Sequence, residues 1–491
     1  MSIMVKIHFS DYFEIPPKIL GRYGAFNVSL ITDLPLFIDP FNLFNSKKRS
    51  YRQLHDNIIR YLKFLRDKST SGYVDIGLLK GLYTFKEVDQ NWLGFSAKGN
   101  KGRGLGLDFA RSLNRNLNVI FSDFGEEKIA SGSHLEKLCL IKRGVGKDNI
   151  SDFTTNLIKE FLLSYTQGFT QQYIDKKYRR PQAVKKVRFN YATETWESAT
   201  FELPFFNGDY VLLTPKDILT RDDVWINRTD LTSDFMQITE SVDNDQLRAQ
   251  INSYLIKRLS HYKYPTEKQR KGVINSVVEK YPELIEYYIR YKERRGTEAR
   301  MISQERTSES ETLFVKQVIE LVSRLLKQTN FYGLSGDTIE EARKRVEFLK
   351  DVIENKGGHR VFYVKNKPIR RESDLHIMYR LTWYGSLVDV TREANDGRGP
   401  VDFKLSRGSG DKSLVEFKLA SNPQLKRNLD KQVSIYEKAS DTTESLKVIV
   451  YFSGEELERV ESILKDLVLE SDKNIILIDA RTDNKPSGSN A

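Results

Sequence analysis

The chain has 491 residues, 78 basic against 67 acidic side chains, a formal net charge of +11 and one cysteine. A lone thiol excludes an intrachain disulfide framework and a cysteine-based zinc site and fits a reducing compartment, while the opening MSIMVKIHFSDYFEIPP lacks an export-signal pattern and no later run nears the roughly 18 apolar residues of a membrane span. A cytoplasmic chain with no membrane partner and two or three domains of about 150 residues each is the expectation.

The first 295 residues read as a basic α+β recognition or sensor region, in one or two units. Apolar residues recur at helical spacing over 51–67, 151–175 and 264–291, whereas VRFNYAT, SATFELPFF and DYVLLTP alternate like strands between turn residues. KGNKGRGLGLDF (98–109) matches neither a phosphate-loop pattern nor a glycine fingerprint after a strand, and reads as a loop. No metalloprotease, serine-hydrolase or NTPase motif occurs, so ATP-driven translocation is not expected. QQYIDKKYRRPQAVKKVRF (171–189) sets Lys176, Lys177, Arg179, Arg180, Lys185, Lys186 and Arg188 against the single acid Asp175, with Tyr173, Tyr178 and Phe189 interleaved. Basic and aromatic groups together suit phosphate neutralisation and base stacking, so these seven residues are candidate nucleic-acid contacts. Weaker basic clusters follow at 257–271 and 290–295.

GTEARMISQERTSESET (296–312) is polar and nearly free of large apolar residues, the composition of a linker. From Phe331 to the C-terminus 27 basic and 27 acidic side chains balance, leaving 51 against 40 before that point. The excess in the first two thirds favours a polyanionic partner there.

Residues 313–482 read as a second domain. Helical periodicity covers 314–327, 338–356 and 371–383; SLVDVTRE, PVDFKLS and SLVEFKLA follow as strands, then a helix at 423–439, strand LKVIVYF, a helix at 455–469 and strand NIILIDA. Asn422 is the expected N-cap and Pro423 the first residue of the 423–439 helix. This order predicts a mixed sheet flanked by helices. The tail 483–491 lacks anything to bury and is expected to be disordered.

The turn RGSGD, rich in small residues, predicts a hairpin centred on Ser409. That register sets Asp402 opposite Glu416, with Cβ atoms about 4.5 to 5.5 Å apart, where two bare carboxylates repel. Lys418 points to the same face, and Val415, Phe417 and Leu419 to the other. Oxygen ligands so placed suit a hard cation such as Mg²⁺ or Mn²⁺. The same charges, with Lys404, could instead form cross-strand ion pairs on a half-exposed hairpin.

Pro400, Val401 and Asp402, followed by Glu416, Phe417 and Lys418, resemble the signature of the PD-(D/E)XK phosphodiesterase superfamily, the restriction-endonuclease-like nucleases. Val401 between Pro400 and Asp402 departs from the pattern in its loosest part. The superfamily's helix, three strands, helix and strand match the order read from Arg371 to Phe452, so the resemblance covers about a third of the chain. Gln432 and Tyr436 fit the Q-x-x-x-Y element of its RecB-like branches, and Glu372 fits their glutamate on the first core helix. Asp374 and Glu393 compete for that place, and His376 reads as a packing or orienting residue.

The resemblance implies a metal held by Asp402, Glu416, the Phe417 carbonyl and Glu372, a catalytic set of Asp402, Glu416, Lys418, Gln432 and Tyr436, and hydrolysis of a phosphodiester. DNA is the expected substrate. By analogy with stand-alone nucleases of this class, the expected setting is bacterial defence against phage or foreign DNA, the N-terminal region sensing a phage-derived trigger or recognising DNA. An RNase of the same fold, acting on tRNA or structured RNA, and an inactive nucleic-acid-binding protein are the alternatives. Nothing in the sequence indicates an oligomeric state.

Overall fold

The computed structural model describes residues 5–94, 105–119, 124–141, 146–334, 336–383, 389–391, 403–407, 411–430 and 444–485. It is a mixed α/β structure with several small sheets.

In the N-terminal part, α1 (Arg49–Ser71) buries Tyr51, His55, Ile58, Ile59, Tyr61, Leu62, Leu65 and Ser69, the stripe that its three- and four-residue spacing dictates. β1 (Leu36–Ile38) is followed by the long antiparallel hairpin of β2 (Arg179–Asn190) and β3 (Thr195–Phe206), whose register shifts between Val184 and Arg188. β4 (Leu219–Arg221) returns to pair antiparallel with β1.

The helix expected over 264–291 is two helices. A capping box between Thr266 and Gln269 begins the first only after the loop, and Pro282, which has no amide to donate, falls between its end and the next start. After α2 (Asp245–Leu259), these are α3 (Glu267–Lys280) and α4 (Leu284–Arg294).

Residues 296–311, expected as a linker, form α5 (Gly296–Glu311) with Ala299, Ser303, Thr307 and Ser310 buried along one side. These side chains are short, so the helix lies close on β4: Thr307 Oγ1 donates to the Leu219 carbonyl at 3.1 Å and Arg306 to that of Arg221 at 3.1 Å. A helical stripe built from small polar residues has the composition of a linker and the burial of a core helix.

The C-terminal part contains α6 (Thr338–Asn355), α7 (Glu372–Trp383), β5 (Asp389–Thr391), β6 (Phe403–Arg407), β7 (Asp411–Leu419), β8 (Ser445–Tyr451), α8 (Gly454–Asp466) and β9 (Ile475–Asp479). The sheet runs β9-β8-β7-β6-β5, with β5, β6 and β7 mutually antiparallel and β7, β8 and β9 parallel. Val415, Phe417 and Leu419 pack on the face covered by α6 and α7, within a core cluster that runs from Ile7 to Ala480. The opposite face carries a separate cluster of Ala420, Leu425, Leu429, Ile449, Tyr451 and α8 side chains. Of the helix expected over 423–439, residues 425–430 are helical and the rest lies outside the described residues.

Inside the N-terminal core, His55 is 4% exposed and its ring lies 5.5 Å from that of His134. Burial, and then the neighbouring His134, pushes its pKa down to about 3. The folded ring stays neutral while the unfolded ring takes up a proton near pH 6.5, so stability is full above that pH and is lost as pH falls towards 3. Between pH 6.5 and 5.5 the loss should be roughly 1 kcal/mol. Urea midpoints at the two pH values measure it, and His55→Leu should remove that share of the pH dependence.

Candidate active site

β7 is the middle strand of the C-terminal sheet, and its surroundings follow from strand geometry. Its register with β6 runs from Asp411↔Arg407 to Val415↔Phe403, the one expected for a turn centred on Ser409. Asp402 lies outside the described residues, as do Glu393, Gln432 and Tyr436. Leu414 and Ala420 donate their amides to the Glu444 and Val450 carbonyls at 2.9 Å, on the β8 side. Backbone groups alternate in direction along a strand, so the Phe417 carbonyl and the Leu419 amide face the β6 side.

There α7 supplies their partners. His376 Nε2 donates to the Phe417 carbonyl at 2.8 Å, which puts the ring proton on Nε2. Glu372 Oε1 accepts from the Leu419 amide at 3.2 Å and from Asn422 Nδ2 at 2.7 Å, while Oε2 lies 3.9 Å from Lys418 Nζ. Tyr379 stacks on the Phe417 ring, centroids 3.9 Å apart and planes 17° apart, which fixes the rotation of α7 over β7. Asn422 accepts from the Gln424 amide at 2.8 Å through its side-chain oxygen, as expected of a residue opening the next helix. Arg459 of α8 holds the Ala420 and Asn422 carbonyls at 2.7 and 2.8 Å.

Lys418 is 8% exposed and Glu416 half-buried, two residues apart and therefore on one face. Lys447 of β8 pairs with Glu416 in the parallel register and is itself buried, so a second ammonium stands on that face. Lys447 is not among the residues that the nuclease signature singles out. The lone cation in the apolar run LKVIVYF was the available signal. His376, read from the sequence as packing or orienting, does orient a backbone carbonyl.

Asp374 turns away from Lys418. Two residues along a helix is about 200° of rotation, so it cannot share the face of Glu372. It is buried against Arg221 of β4, whose guanidinium donates to Asp374 Oδ1 and lies 5.2 Å over the Phe314 ring. Next to it, Arg371 grips Asp222 with both terminal nitrogens, and this pair is half-exposed. Two ion pairs therefore tie the start of the helix that bears Glu372 and His376 to the N-terminal part.

The stretch 171–189 starts in the last three residues of a helix (Lys159–Tyr173) and continues through a short turn into β2. Much of its charge is already answered: Lys177 meets Glu14 at 3.0 Å, Arg179 meets Glu202 at 3.5 Å, and Arg188 meets Glu160 at 3.2 Å and Glu197 at 3.0 Å. Lys186 donates to the Gly81 and Thr84 carbonyls, and Arg180 to those of Lys177 and Arg179. Lys176 and Lys185 are exposed. No helix among the described residues is long and apolar enough to cross a membrane.

Residues 14–227 match a family model described as a domain of unknown function (DUF8370), and residues 338–454 match a second, a domain of unknown function (DUF8371). The second match spans every C-terminal candidate residue. The first includes 171–189 and Arg221 but stops before α2. No curated protein and no solved structure matches the chain.

Proposed function

We propose that the C-terminal sheet and its helices form a metal-dependent phosphodiesterase of the PD-(D/E)XK kind, and that the chain is a DNA endonuclease. The observation that carries this reading is the meeting of Glu372, Lys418 and the Phe417 backbone at the end of β7, with Glu416 beside them on the strand. The described register of β7 with β6 ends at Val415 opposite Phe403, one residue before Glu416.

The donor set fits a hard divalent cation, since Glu416, the Phe417 carbonyl, Asp402 and Glu372 offer only oxygen. Bound there, Mg²⁺ or Mn²⁺ would acidify a water and draw charge from the scissile phosphate. Lys418 supplies the fixed positive charge beside the water or the phosphate, and Glu372 keeps its ammonium turned towards the strand end. His376 holds the Phe417 carbonyl in a single orientation. Gln432 and Tyr436 would position Lys418 or the strand backbone, as the resemblance implies. A role in bacterial defence rests on analogy with stand-alone nucleases of this class, with the N-terminal part as sensor or DNA-recognition element.

The test is incubation of the purified chain with plasmid DNA and, in parallel, labelled tRNA, with millimolar Mg²⁺ or with chelator, each with and without phage-infected lysate. DNA cleavage that needs Mg²⁺ and disappears in Glu416→Gln is expected. Cleavage confined to tRNA would move the substrate to RNA. Equal behaviour of the wild type and Glu416→Gln under every condition would leave a binding protein.

A further inference from the structure

The basic cluster at 257–271 differs from that at 171–189 in how its charges are spent. It holds Lys257, Arg258, Lys263, Lys268, Arg270 and Lys271 against one acid, Glu267. Lys271 takes that acid at 2.6 Å. The other five are exposed and make no ion pair among the described residues; Arg258 and Lys263 lie only against the rings of Tyr254 and Tyr264. Five cations held close together without counter-charge repel one another, an arrangement that an incoming polyanion relieves.

Shape and aromatic content narrow the partner. α2 and α3, joined by the loop 260–266, enclose an open groove of about 740 Å³ whose walls include Arg258, Tyr262, Lys268, Lys271 and Asn275. On the loop 260–266 that joins the two helices Tyr264 is 83% exposed, and near the end of α2 Ile256 is 66% exposed. An exposed aromatic ring beside lysines without ion-pair partners suits a base that can stack on it while its phosphates meet the charges.

We propose that the α2–α3 groove is a nucleic-acid-binding surface taking a strand with unpaired bases, its phosphates along Arg258, Lys263 and Lys268 and a base on Tyr264. The choice of partner rests on the proposed phosphodiesterase activity; the measurement below does not. The groove lies outside both matched segments and would be the means by which this chain adds affinity to a charge-neutral C-terminal part.

Binding is measured on the full chain carrying Lys418→Ala, in chelator, by fluorescence anisotropy with a labelled single-stranded DNA, the same sequence as RNA, and the duplex. Single strands should bind more tightly than the duplex. Lys263→Ala with Lys268→Ala should lower affinity about tenfold or more and reduce the slope of log Kd against log salt for the single strand by about 1.4. Tyr264→Ala should weaken single-strand binding at least about fivefold and leave the salt slope unchanged. Lys176→Ala with Lys185→Ala should change little.

The proposal is overturned if no nucleic acid binds, if the Lys176/Lys185 pair takes the loss instead, if Tyr264→Ala is silent, or if polyglutamate displaces the strand at equal charge concentration. Cleavage plays no part in these readouts, so a chain that binds in this way but never cuts would sink the catalytic reading alone.

Discussion

Lys418→Ala is expected to lower Mg²⁺-dependent cleavage by about 10²- to 10³-fold, the usual loss when a preorganised group facing the reacting charge is removed. The reason lies in how the ammonium is held. Lys418 sits on the middle strand, 8% exposed, with Glu372 Oε2 3.9 Å away. Its position is thereby fixed before substrate arrives, and little reorganisation is left to the reaction. Lys418→Arg should not rescue, because a planar fork cannot replace a compact charge in a space this closed. Stability should change far less than activity, since Glu372 keeps the Leu419 amide and Asn422 as partners. The assay is initial cleavage rate under whichever condition activates the wild type, with the urea midpoint as the folding control. An unaltered rate in Lys418→Ala would remove this strand from the chemistry.

The second large effect is on stability. Arg221→Met should cost about 3 to 5 kcal/mol, because it leaves the Asp374 carboxylate buried without its partner. Burial pushes the Asp374 carboxyl above its ordinary value, against the pull of Arg221 and Arg371, so the site is already an expensive one for a charge. Adding Asp374→Leu to Arg221→Met should recover most of the loss, since a well-packed apolar pair replaces a buried ionic one at little net cost. Asp222→Ala, which removes the half-exposed pair with Arg371 and the longer contacts of the same carboxylate to Arg221 at 3.8 Å and Arg306 at 3.9 Å but leaves Arg221 on Asp374, should cost at most about 1 kcal/mol. Urea unfolding of the four proteins decides this, and hydrogen exchange at residues 372–383 locates it. If Arg221→Met and Asp222→Ala lose the same small amount, the buried pair does not anchor α7.

That anchoring has a functional side. α7 carries Glu372 and His376, which shape the end of β7, and its first turn is held by β4. The candidate site is therefore assembled partly by residues more than a hundred positions upstream.

Much of the C-terminal part was legible in the sequence. A two-residue period places Glu416 and Lys418 on one face and Val415, Phe417 and Leu419 on the other, and a turn of small residues sets its own centre. Both are local properties, and the observed β6–β7 register is the one they imply. α7 spans Glu372–Trp383, within one residue of the 371–383 expected from its helical spacing. Elsewhere the same reasoning failed for identifiable causes. The buried seam of α5 is made of alanine, serine and threonine, which carry no apolar periodicity, so a packed helix read as a linker. Pro282 cuts one expected helix into two, and the Thr266 capping box sets the start of the first.

By itself the sequence determined the order of elements in the C-terminal part, the faces of its strands and the registry of its hairpin, because each depends on neighbours a few residues away. Only the tertiary structure decided that Glu372 and not Asp374 meets Lys418, that Arg221 claims Asp374, and that three of the seven cations of 171–189 meet carboxylates while one of the six at 257–271 does. Each of those outcomes depends on which charge is brought near from a distant segment, and in sequence two cations look alike until the fold gives one of them a carboxylate.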